Sequence, residues 1–147
     1  MSWIYVILAL VAGTMMPTQA AINHKLATHV QSPVLSAFIS FGVGLLALFI
    51  YILATGIPLS NLSLSKNAPP VAWLGGLCGA LGVTTVVMVV PRLGVALTFS
   101  IIILGQMLAT LPIDHFGFLG LQIKEVSLPR LVGVVFVILG VFLIRRF

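Results

Sequence analysis

The chain has 147 residues, of which 61% are hydrophobic and 6% charged, and its mean hydropathy is +1.28. A soluble globule of that composition would lack the polar surface needed to cover itself, so lipid is the expected solvent. The net charge of +5 comes from cations spread through apolar sequence, which form no basic stripe for nucleic acid, and a lone cysteine, Cys78, excludes an intramolecular disulfide or a cysteine zinc site.

A bilayer tolerates helices and closed barrels, and a helix needs about 20 apolar residues to cross it. Five stretches come close to that length, which predicts an all-α polytopic membrane protein with one five-helix transmembrane domain over residues 1–147. The first predicted span is Trp3–Ile22. Its Thr18-Gln19-Ala20 resembles a signal cleavage site, but no Lys or Arg precedes the apolar run, so a span is the better reading. Pro17 removes a backbone donor and can open this helix beside Gln19 and Asn23, and a broken helix next to amides suggests a binding site. At 100° per residue Ala12, Met16, Gln19 and Asn23 share a face, while His24, Lys25 and His29 read as interfacial.

The second span is predicted over Val34–Thr55, after Ser32-Pro33, and carries Ser36 and Ser40. Beyond the breakers Gly56-Ile57-Pro58 and Pro69-Pro70, the third runs over Val71–Val90 to Pro91. It contains Thr84 and Thr85, and a small-residue surface with Gly75 and Gly79 at GxxxG spacing for helix packing. The fourth is predicted over Gly94–Ile113. Here Phe99, Ile103, Gln106, Thr110 and Asp114 recur at i+3 and i+4, one continuous stripe that carries a polar face toward the membrane interior unless Pro112 kinks it. The fifth, Leu128–Ile144, starts with Pro129 in its first turn, carries Gly133 and Gly140 as a second packing stripe, and ends on Arg145 and Arg146, which can snorkel.

With five spans the termini lie on opposite sides. One face then carries Lys66, Lys124 and Arg130, the other Lys25, Arg92, Arg145 and Arg146. Orientation follows a marked Lys/Arg excess on the cytoplasmic side, and three against four is nearly none. A chain so balanced can insert both ways up, and two opposed copies would form the inverted pair that secondary transporters usually build from internal repeats.

Asp114 is one of only two carboxylates in the chain. An acid at or in the membrane is costly enough to raise a functional hypothesis, and the adjoining His115 makes the two a candidate proton-coupling pair. The alternative is an acid at headgroup level capping a short segment that starts at His115. Glu125 beside Lys124 reads as an exposed loop pair. Gln19, Asn23, Gln106, Thr110 and Asp114 are the candidate substrate-binding residues. No phosphate loop, HExxH or Cys/His cluster is present, so the sequence points to neither a catalytic centre, a metal site nor a cofactor.

At GQMLATLPIDHFGFLG, followed by SLPRLVGVVFVILGVFLIRR, the chain resembles the YdcZ-like family of half-size proteins in the drug/metabolite transporter superfamily. The resemblance rests on Gly105-Gln106, on Asp114-His115-Phe116-Gly117, on Arg130 with Gly133 and Gly140, and on Gln19 and Asn23 in the first span. It implies half of a ten-helix transporter, a place in the bacterial inner membrane and an antiparallel homodimer, or a heterodimer with a related five-span subunit. Related small multidrug resistance proteins bind cations and protons in turn at a first-span glutamate. This first span has none, so export of cationic drugs does not carry over. The expected function is movement of a small polar metabolite by alternating access, with proton coupling through Asp114. The alternative is a non-transporting assembly or lipid-flipping accessory subunit.

Overall fold

In the computed structural model, which describes residues 3–147, α1 runs from Trp3 to Val30. The helix continues eight residues beyond the expected end at Ile22. Hydropathy falls after Ile22, but Asn23–Val30 contains neither Gly nor Pro, so nothing local breaks the helix. Its 28 residues give a length of about 42 Å, which crosses the hydrocarbon and reaches through the headgroup layers. Pro17 does not break it either: the helix is continuous on both sides. The Thr14 and Thr18 hydroxyls donate to the carbonyls of Val11 and Thr14 (both 2.8 Å), adding hydrogen bonds in the turns beside the proline.

Gln31, left-handed at φ 54°, ends α1. The next residue, Ser32, caps α2 (Pro33–Thr55) by accepting the N–H of Leu35 at 3.2 Å, with Pro33 in the first turn. At the other end of α2 the left-handed Gly56 (φ 69°) returns its N–H to the carbonyls of Ile52 and Leu53. The polar connection then coils as 3-10 turns over Leu59–Asn67 and Pro70–Trp73.

Helix α3 spans Leu74–Leu93 and passes through Pro91, expected to end it. A proline in the last turn costs one backbone bond where several carbonyls are unpaired anyway, and the break falls instead at Gly94, whose φ of 79° suits glycine. Helix α4 covers Val95–Phe116, running through Pro112 and three residues past the expected end, and stops at the left-handed Gly117 (φ 61°). A 3-10 turn at Phe118–Gly120 and an extended stretch lead to α5, Leu128–Arg146, with Pro129 in its first turn as expected. Among the described residues there is no strand, and five helices are long and apolar enough to cross a membrane.

The chain packs as two compact units, residues up to Arg92 and from Leu93 onward. In the first, α1 and α2 form a helical hairpin. The buried positions of α1, namely Ala20, Asn23 and Ala27, recur at i+3 and i+4, and Ser36 and Ala37 are the buried positions of α2. All five are small or short, which lets the backbones approach closely. Gly79 of α3 faces the ring of Phe41, at 3.6 Å from where a Cβ would stand. By contrast Gly75, Gly133 and Gly140 have nothing within 4 Å. Helices α4 and α5 pair in the second unit.

Candidate functional site

The second unit holds its two helices together at one end by a polar clasp. Because α4 continues to Phe116, Asp114 and His115 lie in its last turn, not in a loop. The Asp114 carbonyl, one of the orphan acceptors every helix end leaves, takes the N–H of Lys124 at 2.9 Å. Asp114 Oδ2 takes the Arg130 guanidinium at 3.4 Å, and the same Arg130 nitrogen donates to the Lys124 carbonyl at 3.3 Å. One residue on, His115 Nδ1 accepts the N–H of Val126 at 3.3 Å, which requires a free lone pair there and places the neutral ring's proton on Nε2.

Gly117 makes this geometry possible. Its left-handed backbone turns the chain so that Ile123 and Leu121 return over it, and a Cβ added there would stand 2.7 Å from Ile123 Cγ1 and 3.0 Å from the Leu121 carbonyl oxygen. The acid therefore pairs with Arg130 in the first turn of the next helix. Both side chains are 37% exposed, so solvent and headgroups screen a contact already longer than a tight charge-assisted bond. Glu125 and Lys124 do not pair with each other: among the described residues the ion pair is Arg130–Asp114.

The remaining polar candidates divide between the units. Gln19 and Asn23 are one turn apart on α1, yet Gln19 is exposed and Asn23 is 3% exposed. Ala12 and Met16, grouped with them from the sequence, are exposed as well, so the hairpin buries a face that begins at Ala20 and includes only Asn23 of that set. Ser36, fully buried on α2, donates its hydroxyl to the Asn23 carbonyl at 2.6 Å. The Asn23 side-chain Nδ2 is buried with no hydrogen-bond partner. A buried amide donor without an acceptor costs about 1–3 kcal/mol, so it marks a place where an acceptor belongs.

On α4, Gln106 and Thr110 are exposed, and Thr110 donates to the carbonyl of Met107 in its own helix at 3.2 Å. Of the hydroxyls expected to line a cavity, Ser36 is committed to the α1–α2 contact, Ser40 and Thr84 are half-buried and Thr85 is exposed.

Two features escaped the sequence reading. From the sequence, Arg130 enters the charge balance and the family resemblance but not as the partner of Asp114, although an acid ending one span and an arginine opening the next, on the same side, is a usable signal. The Ser36–Asn23 bond had none, because it depends on where two helices cross.

The family described as "Putative inner membrane exporter, YdcZ" matches residues 4–143. The chain belongs to this family. It is therefore a multi-pass membrane protein of an inner membrane exporter family, as the resemblance implied. No curated protein and no solved structure matches the chain significantly.

Proposed function

We propose that the chain is one half of a membrane transporter that works as an antiparallel pair and exports a small polar metabolite by alternating access across the bacterial inner membrane. The observation that carries the reading is membership of the inner membrane exporter family over nearly the whole length. Two further facts favour a pair. The Lys and Arg residues divide almost evenly between the two faces. In addition, each of the five membrane-capable helices buries only a small part of its apolar length within the chain, so one copy supplies little interior of its own.

In this reading Gln19, Asn23, Gln106, Thr110 and Asp114 supply the polar lining of the transport path. The Nδ2 of Asn23, buried and unpartnered in this conformation, donates to an acceptor on the solute when the α1–α2 contact opens, which suits a neutral or zwitterionic metabolite better than a bare cation. Asp114 is the proton-coupling group: protonation releases Arg130, and with it the end of α5 is freed from α4. His115 contributes through Val126, because a proton on Nδ1 removes that bond.

Orientation in cells tests the pair. Cys78 is exposed and is replaced first; single cysteines are then placed at each terminus and labelled from outside with a membrane-impermeant reagent. Both termini are expected to label, each in about half of the molecules, given the balanced charge rule. Labelling of one terminus alone would remove the homodimer and leave a partner of opposite orientation or a non-transporting subunit.

A further inference from the structure

The first unit contains an open cleft of about 590 Å³ where α1 hands over to α2, beside the last turn of α3. Its polar lining includes His24 from α1, Gln31 and Ser32 from the link and Arg92 from α3, and no acid lines it. Among the described residues the side chains of His24, Gln31 and Arg92 make no hydrogen bond or ion pair, and Ser32 uses its oxygen as an acceptor but keeps its own proton free. Four donor-bearing residues thus line one cleft that holds no acid. The rest of the wall is apolar, Val87 and Val89 among it.

The depth of the cleft follows from helix length. A 28-residue α1 extends about 42 Å against a hydrocarbon core of about 30 Å, so its last turn stands among headgroups. Arg92, at the end of the third of five spans, ends on the same side as α1.

We propose that this cleft seats the anionic headgroup of a glycerophospholipid. Arg92 and His24 meet the phosphate, Gln31 and Ser32 meet the remaining headgroup oxygens, and the apolar wall takes the start of an acyl chain. Size and polarity favour a lipid over a water-borne anion. The volume matches a small-molecule site and would hold on the order of 20 waters, so a bare phosphate would leave most of it wet against valine. A lipid fills the apolar part at no such cost, and basic pockets between spans are where anionic headgroups bind.

The test measures lipid retained by the purified protein after equilibration in mixed micelles of equimolar phosphatidylglycerol and phosphatidylcholine. The unaltered protein is expected to retain phosphatidylglycerol preferentially. Arg92→Gln should reduce that preference about fivefold, the ratio that corresponds to roughly 1 kcal/mol for one cation near a membrane surface. Arg92→Lys, which keeps the charge, should retain most of it. Lys25→Gln should leave it unchanged, because Lys25 is a neighbouring cation outside the cleft wall. Thr28→Trp fills the cleft from an exposed position and should abolish the preference without touching a charge. Equal retention of both lipids, an undiminished preference in Arg92→Gln, a preference surviving Thr28→Trp, or displacement of the lipid by glycerol phosphate at equal concentration would each overturn the proposal, the last by making the site one for a soluble anion.

Discussion

Replacing Gly117 with alanine isolates the contribution of the turn that builds the clasp. At φ 61° an L-residue loses about 1–2 kcal/mol to the contact between its Cβ and the following carbonyl. The methyl would also stand 2.7 Å from Ile123 Cγ1 and 3.0 Å from the Leu121 carbonyl oxygen. The isoleucine tip can rotate away, but the carbonyl is backbone and moves only with the extended stretch that carries Lys124 and Val126, at an overpacking cost of about 1–3 kcal/mol. The total is about 2–5 kcal/mol, and the displaced groups are those that bond Asp114 and His115. Gly120→Ala is the internal control: its φ is 80°, but nothing lies within 4 Å of the added carbon, so it suffers the backbone strain alone. Unfolding of the purified protein by sodium dodecyl sulfate in mixed micelles, followed by circular dichroism, should show Gly117→Ala less stable than Gly120→Ala by the overpacking part. Equal losses for the two variants would refute the seating of Ile123 and Leu121 over Gly117.

Asp114→Asn is expected to abolish the pH dependence of substrate-driven transport in proteoliposomes while lowering stability by no more than about 1 kcal/mol, since the pair with Arg130 is 37% exposed on each side; an unchanged pH profile would make Asp114 a structural residue only. Asn23→Leu removes a buried amide whose Nδ2 has no partner, so micellar stability should hold or rise by about 1–3 kcal/mol while transport is lost. A fall in stability with transport retained would mean that the amide serves helix packing.

Composition and hydropathy specified the five helices because the bilayer leaves so few alternatives, and the second and fifth spans start within a residue of their expected positions at proline. Misjudged ends share one cause. Ile22, Val90 and Ile113 were boundaries of hydropathy or positions just before a proline, whereas α1, α3 and α4 end where the backbone turns left-handed or meets glycine, at Gln31, Gly94 and Gly117. A helix that leaves the hydrocarbon has no reason to stop there. The stripe through Gln106, Thr110 and Asp114 was legible because helical spacing is local. The partner of Asp114 and the burial of Asn23, unlike that of Gln19, were not, since both depend on which faces of two helices meet.

The exposed amides give the proposed pair a physical reason to form. Gln19 and Gln106 are exposed on membrane-capable helices, and among the described residues neither side chain has a hydrogen-bond partner. Facing hydrocarbon, each would cost about 2–7 kcal/mol, far more than a neighbouring leucine gains by leaving one lipid-like surface for another. Thr110 escapes this cost by bonding to its own helix, an option an amide on a long side chain lacks. Two copies that enclose these residues around a wet path would remove the penalty and supply the path in one step. Apolar helix surface alone gives little reason to associate in lipid, so if two copies pair as proposed, the groups proposed to handle the solute would also hold the halves together, and Gln19→Leu or Gln106→Leu should weaken dimerisation and transport in parallel.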